Sequence, residues 1–447
     1  MKKDEFKNVI QQFVLPLFTG SELDGEEPSS TRDAEVAQGV GGTILCKPKK
    51  SDDYRLIIRR EQPFKKFEIH LVRAVLEELM NVYKYQIEEL AYTKSLQQYA
   101  LEKAICKSVS NKNYETLLDL IYELSQWSNR TYEGRRPSFG FIISPGRHME
   151  KDYTTHFSDI LSEDFSALIS DGVNTCMFLN GRGQLLGYLN LPKTNSNDCH
   201  APINLTGMAK ASKSGRIGVT LSLDGDLLIF SEQELVFAKR GGEWKSFSHE
   251  EIINKLTERD SDERYSVKEA VYLSALDVAF NKDGGCLAVI KNDQVEDALK
   301  HLAVKDILLE EYYNKKVEHL YNFVEILEEG KVNEAPKSFE EVLKEDRYTK
   351  TAALRKMING RKFQELDRMF RAELIGIDGA TIIDKDGNII AVGAIVQIDA
   401  GSTGGGRLAA TKTLAKYGTA LKISMDGSIQ CFNYDNKKQK VRSIFSI

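Results

Sequence analysis

Disulfide, zinc and membrane signatures are all missing from this chain. Its six cysteines, Cys46, Cys106, Cys176, Cys199, Cys286 and Cys431, are scattered without a CxxC pair. That spacing excludes a zinc ribbon and a disulfide framework, so they read as reduced, mostly buried thiols of a cytoplasmic protein. The seven histidines show no ligand spacing, and His148 reads as a surface loop residue. No Ser-His-Asp or Cys-His arrangement can be argued from the order of residues. No apolar run approaches the roughly 20 residues of a membrane-spanning helix. The first 18 residues mix acids with lysines and break their apolar stretch at Gln11-Gln12, which makes a poor signal peptide. Positive charge is not in excess: 61 Lys and Arg stand against 66 Asp and Glu. The electrostatic case for nucleic acid or an anionic membrane therefore falls away.

What is present is an ordinary globular composition, 41% hydrophobic and 28% charged over 447 residues. Such a chain is too long for one core and suits two or three domains. Residues 1–110 are expected to form an N-terminal α/β segment. Within it, 6–18 suit a short helix and 20–38 a polar, acidic loop. Residues 42–46 and 54–58 read as strands around a Lys/Asp-rich turn. From 64 to 107, Leu71, Val75, Leu76, Leu79, Met80, Val82 and Tyr83 recur at helical spacing and predict one or two long helices. Those helices either pack on their own chain or offer a partner-binding, dimerising face.

The densest chemistry lies between 376 and 432. Thr381-Ile382-Ile383 and Ile389-Ile390-Ala391-Val392 are β-prone runs joined by Lys385-Asp386-Gly387-Asn388, which is hairpin chemistry. Gly404-Gly405-Gly406 then precedes Arg407 and a run of helical composition over 408–417. Glycines at a helix start let a ligand approach the backbone, where free N–H groups and the dipole favour an anion. Arg407 would add a forked donor to a phosphate. Asp378-Gly379-Ala380 alone could equally be a turn before a strand. With the glycines and Arg407 at this distance, a nucleotide pocket is the better reading.

These residues, with Leu408-Ala409-Ala410 and Ser424-Met425-Asp426-Gly427, together resemble the diadenylate cyclase domain family. In that family a DGA motif carries the metal-binding Asp, and a Gly-x-Arg-His-Arg-like motif grips the ATP phosphates. Arg407 matches the first Arg. Leu408 and Ala409 stand where the family has His and a second Arg, a departure that bears on cyclase activity more than on fold. The resemblance implies nucleotide contacts from Gly379, Ala380, Gly404, Gly405, Gly406, Arg407, Thr411 and Ser424. It also implies Mg²⁺ or Mn²⁺ on Asp378, which would be the catalytic carboxylate of an enzyme.

The same order of motifs is legible earlier in the chain. A helix over 114–128 leads through Tyr132-Glu133-Gly134-Arg135-Arg136-Pro137 to a strand over 138–144 and a helix over 161–169. Asp171-Gly172-Val173 follows, then a turn at Asn180-Gly181-Arg182-Gly183 and Ser222-Leu223-Asp224-Gly225-Asp226. Asp171-Gly172 is paired here with Asp378-Gly379, and Asp224-Gly225 with Asp426-Gly427. A helix over 267–280 and a strand over 284–290 repeat the opening elements.

The expected fold class is α/β, with two tandem diadenylate cyclase-like domains at 111–250 and 262–447. Each would be a mixed central β-sheet flanked by helices, and the second would carry a charged helical insertion over about 293–350. In the first copy Leu205 falls at the place of Arg407, so Asp171-Gly172 there reads as a structural turn. Lys210, Lys213 and Arg216 are the cations that could stand in.

The implied function is a cytoplasmic nucleotide-binding sensor, nearest the sensor-type branch of that family. It would take ATP or a cyclic dinucleotide in bacterial signalling or phage defence. Its expected partners are a protein effector and a homo-oligomer, with no nucleic acid and no membrane. The alternative is an active cyclase making cyclic di-AMP from two ATP.

Overall fold

The computed structural model describes the chain except residues 1–2, 19, 31, 49–52, 61–62, 85–89, 147–154, 194–198, 257–264, 328–337, 340, 342–349, 399–404 and 437. His148 and Gly404 lie outside the described residues, as does much of the expected insertion. The chain divides into two compact units, the first reaching Ser248 and the second running from His249 to Ile447.

The first unit opens with α1 (Lys3–Val9) and a four-stranded antiparallel sheet of order β1-β4-β3-β2. Its strands are β1 (Glu22–Pro28), β2 (Val36–Gln38), β3 (Thr43–Cys46) and β4 (Tyr54–Arg59). The expected acidic loop over 20–38 is therefore two edge strands. Cross-strand charge explains β1: Asp24 pairs with Arg59 at 2.5 Å and Glu27 with Arg55 at 2.6 Å, both on neighbouring β4. Opposite charges across a ladder are favourable, and charge on an edge discourages further pairing.

Two long helices follow, α2 (Lys66–Lys84) and α3 (Leu90–Val109), and then α4 (Tyr114–Trp127). They share one hydrophobic core that runs from Phe6 to Trp244, so the N-terminal segment and the first copy are packed as one body. The expected helix over 161–169 is instead α5 (Phe157–Leu161) and a 3-10 turn at Asp164–Leu168. His156 caps α5 by accepting from the Ser158 N–H, which starts the helix earlier than the apolar pattern suggests.

The seven-stranded sheet of this unit has the order β11-β10-β9-β8-β5-β6-β7. It contains β5 (Phe139–Ile143), β6 (Thr175–Leu179), β7 (Leu185–Asn190), β8 (Ile217–Leu221), β9 (Leu227–Ser231), β10 (Glu234–Arg240) and β11 (Glu243–Ser246), with α6 (Thr206–Ala211) before β8. Only β5 and β6 are parallel.

The second unit begins with α7 (His249–Lys255), α8 (Tyr265–Phe280) and β12 (Gly285–Ile290). Helices α9 (Val295–Leu299), α10 (Glu310–Leu327), α11 (Lys350–Ile358) and α12 (Arg368–Gly376) fill the connection to β13 (Ala380–Asp384). Then come β14 (Ile389–Ala394), α13 (Gly406–Leu414), β15 (Gly418–Ile423), β16 (Ile429–Asp435) and β17 (Lys440–Ser446). The sheet order is β14-β13-β12-β15-β16-β17, again with a single parallel pair, β12 and β13. Six strands thus repeat the order and direction of β5 to β10.

The hairpins repeat too. Asn180 and Asp384 each accept the turn glycine's N–H, from Gly183 and Gly387 respectively, at the carbonyl. The side chains of Asn180 and Asp384 also hold the backbone of their own turns. Ser222 and Ser424 likewise accept from Gly225 and Gly427.

This register corrects the pairing of Asp171 with Asp378. Asp378 lies six residues before the Asp384 turn, and six residues before Asn180 stands Asn174. Asp171 is three residues further upstream, in a loop of its own. Turn dipeptides mark loops, whereas paired strands fix equivalence.

Candidate functional site

Strand direction assembles the site. The parallel strands β12 and β13 start at the same end of the sheet, and β15 ends there, with Gly285 opposite Ile423 and Cys286 beside Ala380. Gly284 and Ser424 therefore lie just beyond the paired ends of β12 and β15, and Asp378 lies two residues before β13. Gly284 and Ser424 are in step with Cys286 and Ala420, which pack in the core on the α13 side, so both sit at the rim of that face, with Asp378 in the bend before Ala380.

Helix α13 opens over this rim. Its N-cap is Gly405, which contributes no side-chain cap, so the first N–H groups of the helix remain available. The Arg407 guanidinium lies directly over Gly284. Among the described residues it makes no hydrogen bond or ion pair. Thr411 is fully buried, donating to the Arg407 carbonyl at 2.7 Å and touching the Cys286 sulfur at 3.3 Å. Thr411 thus docks the helix and is withdrawn from the ligand face, against the expectation that it touches nucleotide. Burial pushes the Cys286 thiol up to about 11, which leaves it unreactive.

The remaining expected residues separate into contact and scaffold. Ser424 presents a buried Oγ with no hydrogen-bond partner among the described residues. In the first unit the matching Ser222 Oγ accepts from the Asp226 N–H, so only the second copy frees this hydroxyl. Asp378 is exposed, and among the described residues nothing engages its carboxylate. Gly379 has φ +110°, and a Cβ there would fall 2.4 Å from the Gly393 carbonyl carbon. Glycine at 379 is therefore demanded by the crossing with β14. Ala380 is buried beneath the sheet surface. Gly405 and Gly406 are exposed at the helix start, with open space where a Cβ would stand.

Two residues outside any motif join the site. Gly284 makes room for Arg407, and Lys422 projects from β15 two residues before Ser424, opposite Gln430. The signal for Lys422 was a lone lysine inside the otherwise buried run 418–423. Arg407, Lys422 and the helix dipole bring positive charge to this end of the sheet, where Asp378, Asp283 beside Gly284 and Asp426 beyond Ser424 supply carboxylates. Among the described residues no group of three His, Cys, Asp or Glu is placed to hold a metal.

The first unit has the same rim without its charge. Ser138, Asn174, Thr220 and Ser222 occupy the positions of Gly284, Asp378, Lys422 and Ser424 by strand register and the turns that follow, and Leu205 stands as far before Ser222 as Arg407 does before Ser424. Its own loop covers the sheet beside the rim as well. A Cβ on Gly140 would lie 2.4 Å from the Gly172 Cα, and one on Gly172 would lie 2.7 Å from the Thr220 methyl. Ser170 Oγ donates to the Gly140 carbonyl at 2.9 Å and fastens that loop.

Asp171 is spent within the same loop, accepting from the N–H groups of Val173, Asn174 and Thr175 and from the Asn174 amide. This is the structural turn expected of it. Lys213 and Arg216 lie in the turn between the C-terminal end of α6 and β8, the far end from this rim, and Lys210 lies in the last turn of α6. They do not replace Arg407.

No protein-family model, curated protein or solved structure matches this chain. Among the described residues no helix is long and apolar enough to cross a membrane.

Proposed function

We propose that the second unit is a nucleotide-binding sensor on a diadenylate cyclase-like fold, taking ATP or a cyclic dinucleotide at the rim of Gly284, Asp378, Arg407, Lys422 and Ser424. The observation that carries this reading is the Arg407 guanidinium, held over Gly284 beside an uncapped helix start. Backbone N–H groups and a forked cation converge there, as phosphate recognition requires. The unpartnered Ser424 hydroxyl adds a donor. Exposed Asp378 supplies one carboxylate, which suits Mg²⁺ or Mn²⁺ carried in on the phosphates, because such ions usually take one or two protein carboxylates. Bound there, the metal would neutralise phosphate charge.

Sensing is favoured over synthesis because only one unit is charged at this rim. A cyclase joining two ATP within one chain needs two phosphate grips, and the first unit presents Leu205 and Asn174 instead. The cyclase alternative then requires two chains paired through their second units. Incubation with ATP and Mn²⁺, followed by chromatography for cyclic di-AMP, separates the two readings. Product that disappears in Asp378→Asn would replace the sensor with the enzyme.

Binding itself is tested by calorimetry with ATP, cyclic di-AMP and inorganic phosphate. Arg407→Ala should weaken nucleotide binding about ten- to hundredfold, the loss of a charge-assisted contact of about 1.5–3 kcal/mol. Arg407→Lys should recover only part, since an ammonium lacks the fork. Unchanged affinity in folded Arg407→Ala would remove this site from the account.

A further inference from the structure

The insertion between β12 and β13 reaches back to the rim through one side chain. Lys350 is the first residue of α11, and its Nζ donates to the Gly393 carbonyl at 2.6 Å. The Lys350 Nζ and the Asp378 carbonyl oxygen lie 3.0 Å and 2.9 Å from the point where Gly393 would carry a Cβ. The ammonium is thus beside the Asp378 backbone, on the β14 side of the proposed site. It has no carboxylate partner among the described residues, only a neutral carbonyl. An arriving anion would give that charge a partner.

Resting on the nucleotide reading, we infer that Lys350 is a ligand-binding residue supplied by the insertion and the point at which the insertion registers occupancy. A lysine stem is flexible enough to leave Gly393 for a phosphate oxygen without moving the strand. What moves instead is α11. This helix is strapped along its length to the segment before α10. Thr351 Oγ1 donates to the Lys305 carbonyl at 2.7 Å, and Arg355 donates to the carbonyls of Ile307 and Leu308. That segment is pinned to β14 in turn, by the Leu308 N–H on the Ile390 carbonyl. Lys350 therefore sits at the head of a continuous hydrogen-bonded strip that ends on the outer edge of the sheet.

The test uses the full chain with ATP, with and without Mg²⁺, and cyclic di-AMP as probes. Lys350→Gln should weaken binding of the better probe about five- to twentyfold, with Lys350→Arg close to wild type. Hydrogen exchange should slow across 304–309 and 351–358 when wild type is saturated. The slowing should be lost in Lys350→Gln at ligand concentrations raised to restore saturation. Wild type that binds while Lys350→Gln binds equally well, or an insertion whose exchange ignores the ligand, overturns the inference and leaves the Arg407 site standing. Wild type that binds none of the probes overturns both.

Discussion

The guanidinium of Arg407 lies so close over Gly284 that a Cβ at 284 would stand 2.1 Å from its Nη1. Only bare backbone leaves room for that seat, and the atom in the way is the tip of a flexible side chain. Gly284→Ala therefore displaces the cation without removing it. Thermal unfolding should change by no more than about 1 kcal/mol, because the backbone can accept alanine. Nucleotide affinity measured by calorimetry should fall about tenfold, approaching Arg407→Ala. Equal affinity in wild type and Gly284→Ala would mean that where the guanidinium rests is unimportant.

Asp171 and Asp378 should fail in opposite ways. Asp171→Ala removes the acceptor for three backbone N–H groups and should cost about 0.5–2 kcal/mol, as loss of a helix cap does, while leaving binding intact. Asp378→Ala should spare stability and weaken metal-dependent binding. The Asp171 carboxyl is pushed up by burial. Hydrogen bonds from the Asn174 amide and the N–H groups of Asn174, Val173 and Thr175 outweigh this and hold it below its usual value. A depressed acid lends its stabilisation fully above the unfolded pKa of about 3.9, and the contribution fades as pH falls through the lower folded value. Urea curves for wild type and Asp171→Ala should thus converge as pH drops from about 6 toward 3. A gap independent of pH would contradict the hydrogen-bonded account.

What could be read from residues alone was the part governed by short-range chemistry. Lys385-Asp386-Gly387-Asn388 turns where expected, because Asp384 and the glycine satisfy that loop locally. Arg407 was visible because three glycines precede it. The acidic strand β1 was not, since its ion pairs are with Arg55 and Arg59, about 30 residues away on β4. Asp171 misled for a related reason: an Asp-Gly turn marks a loop, and only strand pairing shows that Asn174 stands in the place of Asp378. Arg407, Gly284 and Lys422 come from α13 and from the neighbouring ends of β12 and β15, and no local pattern announces that convergence.

The second unit rests on a buried ion pair. Asp277 in α8 accepts from Arg368 of α12 through Nε at 2.7 Å and Nη2 at 2.8 Å, with both side chains essentially sealed from solvent. Arg371 lies alongside, and burial, then the charge of Arg368, push its guanidinium down to about 10. Removing Asp277 leaves this buried cluster of cations with less compensation. Asp277→Ala should cost about 3–5 kcal/mol in denaturant unfolding. Asp277→Leu combined with Arg368→Met should recover much of it, because paired apolar replacements avoid the stranded charge. A double variant no better than the single one would show that the pair does more than satisfy itself.

The covered sheet face of the first unit bears on the expected stoichiometry. Gly172 lies on the Gly140 backbone at φ +69°, with the Phe139 carbonyl 2.7 Å from where its Cβ would be. By register this loop covers the places of Cys286 and Lys422, beside the rim where Arg407 rests in the second unit. Titration with nucleotide should therefore saturate at one equivalent per chain. Gly172→Ala strains the left-handed backbone and should destabilise the first unit by about 1–3 kcal/mol. Affinity and stoichiometry at the second unit should be untouched. If wild type saturates at two equivalents, the loop opens in solution. The neutral rim of Asn174, Leu205 and Thr220 would then be a second binding site.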